Sequence, residues 1–141
     1  MIKAILPTLL CCLCLSYAPH LFAQNEKLSQ ALNAQVSVSG EMTTDKFQQL
    51  IKNGFKSVIV NRPDQEQGNR ISVSQLRQIA EQSHVSVIYQ PIVNGQITQT
   101  DVIEFSKYYK ELPKPILMVC RSGSRSSLLF NQAQSQGLLH E

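Results

Sequence analysis

The sequence lacks the motifs of several common enzyme classes. It contains no Gly-rich nucleotide loop of the Walker type and no Gly-x-Gly-x-x-Gly motif after a predicted strand. The serines at positions 122, 124, 126 and 127 have no histidine close to them in the sequence, as a simple serine-type triad would require. Nothing here supports a nucleotide-dependent enzyme or a serine hydrolase.

Metal ligands and surplus charge are also scarce. Beyond residue 23 the histidines are His84 and His140, and neither has a Cys or a carboxylate at ligand spacing, so we predict no metal site and no cofactor. Without Lys3, the chain has 12 basic residues against 10 acidic ones. This balance gives no reason to expect binding to nucleic acid or to a membrane surface.

The first 23 residues read as a secretory signal peptide. Lys3 provides a positive start, residues 5–17 an apolar core, and Ala23 a small residue at a plausible cleavage point. The core is too short for a comfortable transmembrane helix, so we expect no stable membrane association after cleavage. We therefore predict an exported protein, periplasmic or secreted, with one domain over residues 24–141.

Cleavage would remove three of the four cysteines, Cys11, Cys12 and Cys14. Only Cys120 would remain, so no internal disulfide could form. A single unpaired thiol in an exported protein is usually reactive or paired with another molecule. Cys120 is therefore a candidate catalytic residue, although a buried cysteine can also be a plain packing residue.

Predicted strands alternate with predicted helices after a polar lead-in over residues 25–34. Strands are predicted at residues 36–38, 56–61, 85–89 and 116–119; helices are predicted to begin at Thr43 to Asp45, at Ser72 or Ser74, at Thr100, and at Ser126 or Ser127. This alternation predicts an α/β fold with a mainly parallel central sheet and helices on both faces. The segments after Val60, Tyr89 and Val119 should then share one edge of the sheet.

Residues 120–126 read Cys-Arg-Ser-Gly-Ser-Arg-Ser and join the last strand to the last helix. Free cysteine has a pKa of about 8.5, which helix N-termini and nearby cations can lower to roughly 3.5–7.5. Cys120 is therefore predicted to be a thiolate nucleophile. The loop amides and Arg125 would hold an anion.

These residues resemble the active-site loop of the bacterial beta-lactamase hydrolase-like, phosphatase-like domain family, and residues 54–64 resemble that family too. The likeness covers most of the chain after about residue 35. It implies a protein-tyrosine-phosphatase-like fold. The family is also linked to rhodanese-type sulfur transfer, so the resemblance leaves two chemistries open.

The length of the loop between Cys120 and Arg125 favours sulfur transfer over phosphate hydrolysis. Four residues separate Cys120 from Arg125 and Val119 precedes the cysteine, whereas protein-tyrosine-type phosphatases have one more loop residue and usually a preceding His. Rhodaneses use the shorter loop. The first hypothesis is therefore a sulfurtransferase that forms a persulfide on Cys120 and passes the sulfur to a thiol-type acceptor.

Two alternatives stay open, a phosphatase-like hydrolase with a cysteinyl-phosphate intermediate and an inactive anion-binding module. In the hydrolase, Asp64 would be the acid, although it could instead brace a proline turn. The substrate would be a small anion such as thiosulfate, a persulfide or a phosphate ester, and no protein partner is indicated. The residues predicted to bind this anion are Arg62, Arg121, Ser122, Gly123, Ser124 and Ser126.

Overall fold

The computed structural model describes residues 27–140, so the predicted signal peptide over residues 1–23 lies outside the described residues. The strands are β1 (Gln30–Ala31), β2 (Val36–Ser39), β3 (Ser57–Val60), β4 (Ser86–Tyr89) and β5 (Ile116–Val119). The helices are α1 (Thr44–Lys52), α2 (Val73–Glu81), α3 (Gln99–Glu111) and α4 (Ser124–Ser135).

The five strands form one sheet in the order β1-β2-β5-β3-β4. The pairs β2–β5, β5–β3 and β3–β4 are parallel, and only β1 runs antiparallel to its neighbour. The predicted mainly parallel α/β sheet is therefore confirmed. The prediction of a polar lead-in over residues 25–34 was wrong at β1. The two exposed residues of β1 pair with β2 through backbone hydrogen bonds, which require no apolar pattern in the sequence.

The central strands are buried on both faces because each face is covered by a pair of helices. Side chains of β3 and β5 alternate between two cores. Val58, Val60, Leu117 and Val119 pack with α1 and α2, whereas Ile59, Ile116 and Met118 pack with α3 and α4. Each such buried side chain stabilises the fold by about 1.5–3 kcal/mol, so the sheet is a firm support for the loops at its edge.

Polar caps set the starts of three helices. Thr43 accepts from Lys46 N before α1, as predicted, and Ser72 caps α2, one of the two predicted positions. The prediction of Thr100 for α3 was wrong: Thr98 is the cap, because Asp101 lies three residues later and accepts from the Thr98 backbone N–H in a capping box.

The start of α4 also differs from the prediction. The helix begins at Ser124 after Gly123, and neither Ser126 nor Ser127 is its cap. Gly123 has φ 86°, a left-handed conformation that glycine adopts without a steric penalty. The earlier start places Arg125 and Ser126 in the first turn of the helix.

Candidate active site

Three parallel strands bring the candidate residues to one edge of the sheet. Cys120 N donates to Ser39 O at 3.2 Å and Asn61 N donates to Val119 O at 2.8 Å, so the ends of β2, β5 and β3 stay in register beyond the strands. Gln90 N continues the β4 pairing to Val60 O at 3.0 Å. The shared edge predicted from the strand order is therefore present.

Cys120 is buried, with 1% of its surface exposed, and its Sγ accepts a hydrogen bond from Gly123 N at 3.0 Å. Burial raises the pKa of the thiol, but the Ser126 backbone and side chain and the Ser122 and Gly123 backbones lower it by hydrogen bonding. The net result is a pKa below the usual value. This direction agrees with the thiolate expected from the sequence, but the hydrogen bonds lower the pKa and no arginine is among the causes.

Gly40 allows the reactive loop to pack against the end of β2. A Cβ at this position would lie 3.0 Å from Arg121 O and 3.2 Å from Ser122 Cα, both backbone atoms. Any larger residue would therefore push the loop away. Gly40 and the left-handed Gly123 together let the chain turn tightly around the thiol.

The hydroxyl of Ser126 lies between two acceptors. It donates to Asn61 Oδ1 at 2.8 Å, while Asn61 Nδ2 donates to Gln90 O at 3.1 Å, and Asn61 and Ser126 are fully buried. The same hydroxyl is among the groups that lower the pKa of Cys120. Because a serine hydroxyl has one proton, it can be donated to only one of these acceptors at a time.

Arg125 is held from outside the reactive loop. Its Nη1 donates to Ile92 O at 2.8 Å and makes a longer 3.5 Å contact with Asn61 O. Its Nη2 lies 2.9 Å from Glu66 Oε2. Its buried Nε has no hydrogen-bond partner among the described residues. A buried donor left in this way costs free energy unless a ligand or a water molecule accepts from it.

Arg62, predicted to bind the substrate, contacts neighbouring protein groups. Its Nη1 pairs with Glu41 Oε2 at 2.8 Å and its Nη2 donates to Gln67 O at 3.0 Å. Its Nε lies 3.1 Å from Glu66 Oε1, an ion-pair contact without hydrogen-bond geometry. The guanidinium group therefore already has anionic or carbonyl neighbours on all three nitrogens.

Asp64, the predicted acid, braces the start of α2. Its Oδ1 accepts from Val73 N at 2.9 Å, and its own N–H donates to Tyr89 Oη at 2.8 Å. This arrangement corresponds to the structural alternative that the proline turn suggested, although the partner is the first residue of α2 and not the turn itself.

The remaining predicted binding residues lie on the outer side of the loop. Arg121, Ser122 and Ser124 are exposed, and the two serine hydroxyls lie 3.2 Å apart. Beside them a groove of about 670 Å³ extends towards β1 and β2. Its lining includes Lys27 and Lys46 and no carboxylate, whereas the cavity that touches Cys120 measures only about 10 Å³.

Sequence reasoning missed three residues of the site, Glu41, Asn61 and Glu66. Glu66 had a detectable signal, since it lies four residues after Arg62 in the segment that follows Val60, which was predicted to lie at the shared edge of the sheet. Asn61 had a weaker one, because it directly follows Val60 in that segment. Glu41 had none, because its partner Arg62 is distant in the sequence.

Over residues 27–140 no group of three or more His, Cys, Asp or Glu side chains could hold a metal ion. No helix within that range is long and apolar enough to cross a membrane.

Comparison with protein families gives a match over most of the chain. The family described as "Beta-lactamase hydrolase-like protein, phosphatase-like domain" matches residues 29–137. Beta-lactamase hydrolase-like proteins of Xylella fastidiosa and Agrobacterium fabrum are 26% identical to this chain over 99 residues. That match covers 70% of this chain and 23% of each relative, so the chain spans about a quarter of the length of these relatives.

Solved structures with the same architecture include a candidate phosphatase of Neisseria meningitidis, with 29% identity, a TM-score of 0.72 and coverage of 78% of both chains. A candidate phosphatase of Shewanella putrefaciens has 22% identity and a TM-score of 0.67, over 81% of this chain and 75% of that one. The catalytic core of a PP-IP phosphatase of S. cerevisiae has 14% identity and a TM-score of 0.62, over 77% and 66%. The last two show the fold alone.

Proposed function

The chain belongs to the beta-lactamase hydrolase-like protein, phosphatase-like domain family, and from this premise we propose that it is a phosphatase-like hydrolase that uses Cys120 as its nucleophile. The observation that carries the proposal is the thiol at the end of β5. Hydrogen bonds from the loop lower the pKa of this thiol although it is buried. The sequence ranked sulfur transfer first, but the phosphatase-like relatives support the hydrolase better.

In the proposed reaction the Cys120 thiolate attacks phosphorus, a P–S bond forms, and the bond from phosphorus to the leaving oxygen breaks. Water then attacks the cysteinyl phosphate, the P–S bond breaks, and inorganic phosphate leaves as the thiolate is restored. The Arg125 Nε–H and the N–H groups of the loop would bind the phosphoryl oxygens and stabilise their charge in the transition state.

The leaving group needs a proton unless it is a stable anion. Because Asp64 accepts from Val73 N, we do not assign it the role of acid. Aryl phosphates, whose leaving groups are stable as anions, should then be better substrates than alkyl phosphates. The groove beside Ser122 and Ser124 would receive the leaving group, and its two lysines favour one that carries negative charge.

Sulfur transfer remains the second candidate because of the short loop between Cys120 and Arg125. In that reaction the thiolate attacks the outer sulfur of thiosulfate, an S–S bond forms on Cys120, and sulfite leaves as the original S–S bond breaks. The inactive anion-binding module is the third.

Two measurements on the purified protein separate these candidates. We expect release of phosphate from an aryl phosphate, loss of that activity in Cys120→Ser, and no gain of one sulfur atom in the intact mass after exposure to thiosulfate. A stable sulfur adduct without phosphate release would favour sulfur transfer. Neither reaction, with anions still bound, would favour the binding module.

Export is also a proposal, supported by Lys3, the apolar residues 5–17 and Ala23. We expect the N-terminus of the protein recovered from the exported fraction to lie at or near Gln24. Recovery of the full-length chain from the membrane fraction would contradict this.

A further inference from the structure

A chain of four alternating charges connects the loops around the thiol. Glu41 pairs with Arg62 at 2.8 Å, Arg62 lies 3.1 Å from Glu66, and Glu66 pairs with Arg125 at 2.9 Å. The two arginine side chains are 4% exposed, Glu66 is 20% exposed and Glu41 is 40% exposed. We refer to these residues as the four-charge chain. It links the segments that follow β2 and β3 to the first turn of α4.

Stability alone does not account for the four-charge chain. Removing charged groups from water costs several kcal/mol for each ion, and well-packed apolar residues often serve a fold equally well. The alternating signs make the chain neutral overall. A neutral network with two buried arginines and defined contacts, at the edge that carries Cys120, suggests a role in the site.

The contacts of Arg125 suggest a role for the four-charge chain. Nη1 is held by Ile92 O and Nη2 by Glu66, so the guanidinium plane is fixed from its far end. The buried Nε has no hydrogen-bond partner among the described residues. On the basis of the proposed function, we propose that Glu66 and Arg62 are positioning residues: Arg62 holds Glu66, and Glu66 orients Arg125 so that its Nε–H can bind the substrate anion.

Glu66 is well placed for this role because its own backbone is fixed. Glu66 N donates to Pro63 O and Asn69 N donates to Glu66 O, each at 3.1 Å. The Asn69 side chain braces the same segment through Asp64 O and Ile71 O. The Glu66 backbone therefore has little freedom, and Arg62 and Arg125 both contact the Glu66 carboxylate.

The competing interpretation is that Arg62 binds the substrate directly. Its three nitrogens already contact Glu41, Glu66 and Gln67 O, so direct binding could use only the N–H groups that these contacts leave over. The positioning role requires no rearrangement. The two interpretations predict different behaviour when Arg62 and Glu66 are changed together.

The experiment measures anion binding without turnover, as protection of Cys120 from iodoacetamide by inorganic phosphate, together with kcat and KM for an aryl phosphate. We expect Glu66→Ala to weaken protection about 10- to 100-fold, since a misplacement of about 1 Å can cost about 100-fold. Glu66→Gln retains an oxygen that can accept from both arginines but loses the charge that pairs with them, so its protection should lie between that of Glu66→Ala and wild type. Arg70→Ala, an exposed arginine in the same segment, is the matched control.

The double variant decides the role of Arg62. If Arg62 acts through Glu66, Arg62→Ala should weaken protection in the wild type and add little in the Glu66→Ala background. An equal further loss in that background would show direct binding and overturn the inference. Should Arg62→Ala fail to fold, the Glu66 pair still tests the proposal, because Glu66 is partly exposed.

Other outcomes also contradict the inference. Tighter protection in both Glu66→Ala and Glu66→Gln would show that Glu66 only competes for the charge of Arg125. A change in thermal stability with unchanged protection would show a structural role alone. If phosphate does not protect wild-type Cys120 at all, the proposed function fails first and the inference fails with it.

Discussion

Substitution of Gly40 by alanine should impair the site without altering any residue proposed to react. Gly40 lies beyond β2, and a Cβ there would meet the backbone of Arg121 and Ser122. Because these are main-chain atoms, no side-chain rotation can relieve the contact. The loop that carries the N–H groups around Cys120 must move instead.

The size of the effect follows from the geometry. The Cβ would lie 3.0 Å from Arg121 O, about 0.4 Å inside the 3.4 Å at which ordinary contact begins. A misplacement of about 1 Å can cost about 100-fold in rate. A shift of about 0.4 Å should therefore lower kcat/KM for an aryl phosphate on the order of fivefold to tenfold, and it should slow alkylation of Cys120.

Gly54→Ala is the matched control. Gly54 has φ +101°, and a Cβ added there would meet nothing within 4 Å, so alanine strains the backbone after α1 and not the site. We expect it to lower the free energy of unfolding by about 1–2 kcal/mol with unchanged kcat/KM. Urea denaturation and steady-state kinetics on both variants give the comparison.

Wild-type activity in Gly40→Ala would refute the reasoning, because it would mean that the spacing between the end of β2 and the loop does not control the N–H groups. Equal losses of stability in the two variants, with activity falling in both, would show that the rate reports unfolding.

The remaining predictions concern titration and the proposed acid. Because the pKa of Cys120 is lowered in the folded chain, the thiolate stabilises the fold fully above the unfolded pKa of about 8.5. This contribution is lost as the pH falls through the pKa of the folded chain. Urea denaturation across this range should show the loss of stability in the wild type and not in Cys120→Ala. Ser126→Ala should raise the pKa seen in the pH dependence of alkylation, and an unchanged profile would mean that the hydroxyl serves Asn61 alone. Asp64→Asn should keep the pH profile of hydrolysis because an amide oxygen can still accept from Val73 N, whereas loss of one limb of that profile would establish Asp64 as the acid. Asp64→Ala should cost about 1 kcal/mol of stability by removing that contact.

Apolar patterning predicted the sheet well because strand burial leaves a direct record in the sequence. The runs at 56–61, 85–89 and 116–119 contain β3, β4 and β5, and the reactive loop follows the last of them. The predicted helix start was wrong where two neighbouring residues could each cap the helix. Thr98 and Thr100 are both plausible caps, and only the position of Asp101 relative to Thr98 separates them.

In the candidate site, too, some residues could be predicted from the sequence and others could not. Cys120 and Arg125 could be named from sequence because they lie in one short loop whose residue types have few other uses together. Arg62 was named for its position, but its partners Glu41 and Glu66 come from two segments brought together by the parallel sheet. Asp64 was named as an acid; its side chain accepts from the start of α2, and the role of acid stays a prediction.

The sequence by itself determined the strand and helix alternation, the nucleophile candidate and the loop length, because these depend on residues close together in the chain. Tertiary structure decided which groups surround that nucleophile. The order β2-β5-β3 places Gly40 on one side of Cys120 and Arg62 on the other, and the left-handed Gly123 turns α4 so that Arg125 reaches Glu66. Such contacts join residues about 20 to 60 positions apart, and a sequence pattern does not specify their distances.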